Sequence, residues 1–196
     1  MEIKQQINDL KTGQESAITP VPKPVELELV HLFDKLRAVK GFVFDVDGVL
    51  TNNTLLATEA GELLRTMSIR DGQAIKWAIE AGYHVGIITG GRSEGVKKRL
   101  TALGIEEYYS GAQEKWTPFK SFLERTNTLV SEICYMGDDL PDLPVLRKVV
   151  LSSCPNDAVT EVLDICDYVS PVPGGRGCVR DIIEKVMKLQ EKWPEY

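Results

Sequence analysis

From Gly41 onward the sequence repeats one pattern: a short apolar run, a turn or polar stretch, then an amphipathic helical segment. The apolar runs are Phe42–Val46, His84–Ile88, Ile133–Met136 and Val149–Leu151, with a weaker one at Tyr108–Tyr109. Helical spacing fills the intervals near Gln73–Ala81, Ser93–Leu103, Trp116–Arg125 and Ala158–Cys166. Strands that alternate with helices in this way predict an α/β fold, a Rossmann-like three-layer sandwich with a mainly parallel sheet covered on both faces. Only Thr54–Ser68 interrupts the pattern. Two short segments around Glu59-Ala60-Gly61-Glu62 predict a β-hairpin inserted directly after the first strand.

Ahead of this pattern, residues 1–24 read as a polar tail or linker ending in TPVPKP, whose alternate prolines favour extended chain. Leu29, Phe33, Leu36 and Val39 recur at steps of three or four and predict a helix over about 26–39. Residues 25–196 are expected to form a single domain, for which 196 residues at 43% hydrophobic content supply one core. A net charge of −6 disfavours nucleic acid as a partner, whose binders carry basic surfaces. An anionic ligand therefore needs a local positive site. No apolar run approaches the roughly 18 residues of a membrane span. The N-terminal segment lacks the apolar core of a signal peptide, so the expected location is cytoplasmic, with no membrane partner. Cys134, Cys154, Cys166 and Cys178 form no C-x-x-C pair and sit among apolar or small residues, which predicts reduced, buried thiols rather than a zinc site.

Ligands of such sheets bind at the carboxyl ends of the strands, so reactive residues should follow the apolar runs. Asp45-Val46-Asp47-Gly48 follows the first run directly, where the turning chain lets both carboxylates converge. Taken alone, acids and a glycine also simply end a strand. The longer stretch FDVDGVLT resembles the first motif of the haloacid dehalogenase (HAD) superfamily of phosphohydrolases, and three more motifs follow in the superfamily's order. Thr89 after Val85–Ile88 matches the second, Lys115 in GAQEKWTPF the third, and Gly137-Asp138-Asp139 after Ile133–Met136 the fourth.

The resemblance implies a chemistry that suits these residue types. Phosphoryl transfer needs charge dispersed over the equatorial oxygens and an aligned attack. Asp45 is implied as the nucleophile that forms an aspartyl-phosphate. Asp47 is implied as the acid for the leaving alkoxide and then the base for the hydrolytic water. Thr89 and the Gly90 amide would contact the phosphate, and Lys115 would neutralise nucleophile and phosphate. Mg²⁺ is the implied cofactor, held by the Asp45 and Asp138 carboxylates and the Asp47 carbonyl. Asp139 either supports that site from behind or caps a helix, and the two roles are compatible. Asp142 is expected to be structural. His31, His84, Trp77 and Trp116 are read as packing residues, and Lys97-Lys98-Arg99 as a solvated helix face.

Only 41 residues separate Asp47 from Thr89, and the hairpin with one helix uses them, so the resemblance points to the capless branch. Within it the chain resembles the 3-deoxy-D-manno-octulosonate 8-phosphate phosphatases of lipopolysaccharide sugar biosynthesis, through DVDGVLT, Arg70-Asp71-Gly72, IITG, GDDLPDLPV and Gly174-Gly175-Arg176-Gly177. That likeness implies a small phosphorylated sugar acid as substrate and a homotetramer whose neighbours help close the site. It places Ser68, Ile69, Arg70, Asp71, Gly72, Lys76 and Arg99 near substrate, and Gly48, Gly90, Arg92 and Arg176 are further expected substrate contacts. Arg176 is suited to a substrate carboxylate, on a glycine loop free to act as a lid. Two positions depart from the family: Gly91 stands where an arginine is usual, with Arg92 next to it, and Lys76 replaces an arginine. The rival readings are a phosphatase of a nonulosonate 9-phosphate and a catalytically silent oligomerisation domain.

Overall fold

The computed structural model describes residues 32–195. The tail expected over 1–24, the first part of the helix expected over 26–39, and His31 lie outside the described residues. Helix α1 covers 32–38, with Leu36 buried in it and Val39 buried just after it, whereas Phe33 of the expected stripe is exposed.

Among the described residues, six parallel strands form one sheet. They are β1 (Gly41–Phe44), β4 (His84–Thr89), β5 (Glu107–Ser110), β6 (Ile133–Met136), β7 (Leu151–Cys154) and β8 (Tyr168–Val169), in the spatial order β5-β4-β1-β6-β7-β8. A separate two-stranded antiparallel ribbon pairs β2 (Leu56–Ala57) with β3 (Leu63–Leu64). The helices are α2 (Ile69–Glu80), α3 (Glu94–Thr101), α4 (Trp116–Thr126), α5 (Leu143–Leu146), α6 (Thr160–Leu163) and α7 (Cys178–Leu189).

The apolar runs become a three-layer core because neighbouring strand residues point to opposite faces. Phe42 and Phe44 of β1 pack with Ile87, Cys134 and Met136 beneath α1, α2, α3 and α7. Val43 packs with Ile88, Ile133 and Tyr135 against Phe119 and Phe122 of α4, and against α5 and α6. Both phenylalanines of β1 are fully buried, so truncating either to alanine costs on the order of 3–5 kcal/mol.

Three elements differ from the sequence expectation. β7 begins at Leu151 and runs on through two serines, whereas the apolar run Val149–Leu151 places it earlier. The serines are tolerated inside because Ser152 Oγ donates to Asp167 Oδ2 at 2.9 Å and Ser153 Oγ to the Tyr135 carbonyl at 3.0 Å. The helix expected over Ala158–Cys166 is a single turn. α2 starts four residues before its first expected residue, because Ser68 caps it by accepting from the Asp71 amide at 3.3 Å. β8 and α7 add to the expected set, and α7 packs on α2.

The chain runs from β1 outward through β4 to β5, then crosses back to enter β6 on the other edge of β1. That reversal opens a crevice at the carboxyl ends of β1, β4 and β6.

Candidate active site

Beyond β1 the chain enters one wide turn, Val46–Leu50, closed by the Thr51 amide donating to the Val46 carbonyl at 3.0 Å. Asp45 leads into it, with Oδ1 accepting from the Val46 amide at 2.7 Å. Gly48 turns the backbone at φ +89°, and a Cβ there would lie 1.9 Å from Asp138 Oδ2. Only glycine satisfies both the left-handed conformation and this approach of the two motif loops.

At the centre stands Lys115, the residue preceding α4 and 3% exposed. Its Nζ lies 2.7 Å from Asp45 Oδ2 and 2.7 Å from Asp142 Oδ1. Asp142 Oδ1 also accepts from the Tyr135 hydroxyl at 2.6 Å, and its Oδ2 accepts from the amides of Asp138 (3.2 Å) and Asp139 (3.3 Å). Asp139 caps the turn Leu140–Asp142 by accepting from the Leu140 amide at 2.8 Å.

Asp45, Asp138 and Asp142 offer carboxylate oxygens that all lie within 4.8 Å of one another. Burial and the charge of Asp142 push the Asp45 carboxyl up to about 7, even though Lys115 acts against this. Burial, then the charges of Asp45 and Asp142, push Asp138 up to about 8. Burial opposes the charge on Lys115, but Asp45 and Asp142 outweigh it and hold the ammonium above its usual range. One cation thus faces three buried acids, and Asp138 Oδ1 is buried without a hydrogen-bond partner among the described residues. An orphaned oxygen beside crowded carboxylates fits a hard divalent cation with oxygen ligands.

Around this cluster is a cleft of about 210 Å³, lined also by Asp47, Asn53, Thr89, Gly90, Gly91 and Gln113. Thr89 ends β4 and is 3% exposed, with its Oγ1 accepting from the Gly91 amide at 3.1 Å. Asp47 faces the cleft and is held by Arg65, whose Nε donates to Oδ1 at 2.6 Å and Nη2 to Oδ2 at 3.1 Å.

The structure therefore brings Asp45, Asp47, Thr89, Gly90, Lys115, Asp138 and Asp139 together at one cleft, with Gly48 packed against Asp138. It does not bring the other expected substrate contacts there within one chain. Ser68 caps α2, and Ile69 is 80% exposed. Asp71 is buried, accepting from the Arg180 amide at 2.7 Å in the first turn of α7. Arg99 lies over Gly72, where a Cβ would meet Nη2 at 2.7 Å, and Lys76 is exposed on α2. Arg92 lies against Gly111, 2.4 Å from where a Cβ would stand. Arg176 is exposed and shares a different surface depression with Arg70 and Arg180. The glycines before it do not hang free: Gly175 donates to the Val49 carbonyl at 2.9 Å, and a Cβ on Gly174 would lie 1.9 Å from the Gly48 carbonyl oxygen. They let this loop underpin the Asp45–Thr51 turn.

Two participants escape the motif reading. Asp142 carries a faint signal, as the third acid of Asp138-Asp139-x-x-Asp142, but its hold on Lys115 spans 27 residues. Arg65 carries none, since its partner Asp47 is 18 residues away across the ribbon.

No family model matches the chain. Its sequence is 35% identical over 165 residues to the 3-deoxy-D-manno-octulosonate 8-phosphate phosphatase KdsC of Salmonella typhi, covering 84% of this chain and 88% of that protein. A solved HAD-superfamily (subfamily III A) hydrolase from Legionella pneumophila superposes with a TM-score of 0.83 at 34% identity, covering 86% of this chain and 92% of that one. A 3-deoxy-D-manno-octulosonate 8-phosphate phosphatase from Moraxella catarrhalis, solved with magnesium, phosphate and a KDO molecule, superposes with a TM-score of 0.79 at 28% identity, covering 82% and 92%.

Proposed function

The chain belongs to the 3-deoxy-D-manno-octulosonate 8-phosphate phosphatase family of the HAD superfamily, and from that membership we propose that it hydrolyses the phosphomonoester of this sugar acid through a phosphate on Asp45. The observation that carries the reading is the Asp45–Lys115–Asp142 chain beside the orphaned Asp138 oxygen, which puts a buried ammonium and a free carboxylate oxygen at one cleft.

Asp45 Oδ1 is fixed by the Val46 amide and Oδ2 by Lys115, so the carboxylate is pre-oriented for attack. Lys115 spreads the charge of nucleophile and phosphate together. The Thr89 hydroxyl and the Gly90 amide border the cleft where phosphate oxygens would lie. Asp47 gives a proton to the departing alkoxide, then takes one from the water that cleaves the aspartyl-phosphate. The Asp45 and Asp138 carboxylates, with the Asp47 carbonyl as third ligand, would hold magnesium, and Asp139 lines the same cleft. When bound it screens nucleophile from phosphate.

In this reading residues 25–196 act as one capless domain, and the enzyme works in the cytoplasm on a lipopolysaccharide sugar precursor. No helix among the described residues is long and apolar enough to cross a membrane. Assembly as a homotetramer is part of the proposal. The ribbon leaves Leu55 49%, Leu56 66%, Leu63 52% and Leu64 47% exposed. A two-stranded ribbon is marginal in water, and a second copy seated on those leucines would stabilise it.

The test is phosphate release from a panel of phosphorylated sugar acids, with and without chelator, for the wild type and Asp45→Asn. The octulosonate 8-phosphate should turn over fastest, only with Mg²⁺, and Asp45→Asn should abolish turnover in a folded protein. Faster turnover of a nonulosonate 9-phosphate would reassign the substrate. Strong residual activity in Asp45→Asn would sink the covalent route.

A further inference from the structure

Asp47 must present a carboxylate oxygen to two successive partners, a leaving alkoxide and then a water. Its side chain is 35% exposed at the rim of the cleft and has two freely rotating bonds. One hydrogen bond would leave the carboxylate free to swing about it. The structure instead gives it a two-point hold. Arg65 Nε meets Oδ1 at 2.6 Å and Nη2 meets Oδ2 at 3.1 Å, while Nη1 donates to the Leu63 carbonyl at 3.3 Å. The guanidinium is itself fixed, since the Arg65 side chain is only 8% exposed. Planar fork-to-fork pairing of this kind fixes orientation as well as adding energy.

The pair is seated against Gly91. A Cβ there would lie 3.2 Å from Asp47 Oδ2, 3.3 Å from Arg65 Nη2 and 3.5 Å from Thr89 Oγ1. The absence of a side chain at 91 leaves that space to the guanidinium, and the whole clasp borders Thr89 and the mouth of the cleft. A carboxylate has about four acceptor positions, and the fork uses two, so each oxygen keeps one for proton transfer.

We propose that Arg65 is the positioning residue for Asp47, a guanidinium carried in from the ribbon that aims the acid–base carboxylate into the cleft. The proposal rests on the phosphatase reading above. Arg65 acts through Asp47, so its effect should appear where proton transfer matters and vanish where Asp47 is already disabled. A misaimed catalytic group costs up to about 100-fold.

The experiment uses the full chain with saturating Mg²⁺ and two substrates. One is the sugar-acid phosphate, whose alkoxide needs a proton. The other is p-nitrophenyl phosphate, whose first-turnover release of nitrophenolate needs none. Arg65→Ala should lower kcat on the sugar-acid phosphate by about 10- to 100-fold with KM little changed, and leave the first p-nitrophenolate turnover nearly intact. Arg65→Lys, which keeps the charge without the fork, should show the same substrate contrast at smaller size and serves if the alanine variant folds poorly. Added to Asp47→Asn, either substitution should cause no further loss, the signature of one residue acting through another. An equal loss on both substrates, a rise in KM alone, or an undiminished loss in the Asp47→Asn background would overturn the proposal, because Arg65 would then bind substrate or merely hold the ribbon. Wild-type turnover with unchanged Arg65 variants overturns this inference alone. A wild type that releases no phosphate from any substrate overturns the phosphatase reading and the inference with it.

Discussion

Asp142, fully buried, accepts from Lys115 Nζ at 2.7 Å and sets where that ammonium stands. The same carboxylate takes the Tyr135 hydroxyl and the Asp138 and Asp139 amides, so it ties the start of α4, β6 and the loop after β6 together. Asp142→Ala leaves a buried ammonium half-paired and a hydroxyl unpaired. It should destabilise the fold by about 3–5 kcal/mol, the usual cost of breaking a buried pair. Asp142→Asn keeps the shape, and should fold while losing most turnover because the Lys115 contact weakens. Thermal melts and kcat on the two variants check this, and a fully active Asp142→Ala protein would refute the role.

The acid cluster makes metal-free stability depend on pH. In the unfolded chain the carboxyls of Asp45 and Asp138 return to the ordinary value of 3.8, whereas in the fold they stand at about 7 and about 8. Between those values the folded chain binds more protons than the unfolded one, so stability falls as pH rises from about 4 to about 8. Magnesium binds the deprotonated acids, so the rise in Tm on adding it should grow with pH across the same interval. Asp138→Asn should flatten the metal-free trend and abolish the magnesium response. Melts in chelator and in Mg²⁺ at several pH values test both, and a magnesium shift unchanged in Asp138→Asn would count against the site.

Asp71 separates a structural role from the substrate contact implied by the resemblance. It is buried at the start of α2 and accepts the Arg180 amide, capping α7 from outside that helix. Burial raises its carboxyl above the usual range, against the pull of the Arg180 amide. Asp71→Ala should cost on the order of 1 kcal/mol, as a lost cap does, with KM for the sugar-acid phosphate unchanged. A denaturant curve beside steady-state kinetics decides between the two, since a raised KM at unchanged stability would restore the substrate contact.

The exposed leucines of the ribbon make assembly testable. Leu56→Glu with Leu64→Glu would place two charges on the surface proposed to be shared. Sedimentation should show a tetramer for the wild type and smaller species for the double variant, with the melting of the isolated domain little altered. A wild-type monomer at assay concentration would remove the assembly from the proposal.

Much of this protein is determined by local order in the chain. Apolar runs bury themselves as strands wherever they fall, so β1, β4 and β6 stand at or within two residues of their expected ends, and the residues following them meet at the sheet's switch point. Asp45, Asp47, Thr89 and Asp138 stand at or just beyond the ends of strands that converge there, whereas Lys115, just ahead of α4, was legible only through the resemblance to the superfamily's motifs. The serines of β7 were not, because polar residues inside a strand are permitted only by partners on other elements, Asp167 and the Tyr135 carbonyl. Nor did spacing reveal which charges would touch. Arg65 and Asp142 are ordinary surface-type residues in sequence, and they become site residues only when folding brings them 2.6 Å from Asp47 and 2.7 Å from Lys115. Nor did spacing show that Asp71, expected near substrate, accepts an amide of α7, because that contact exists only once α7, far along the chain, packs on α2. Secondary structure follows from short-range patterning, but an ion pair between distant residues depends on where separate elements come to rest, which is set by the packing of the whole core.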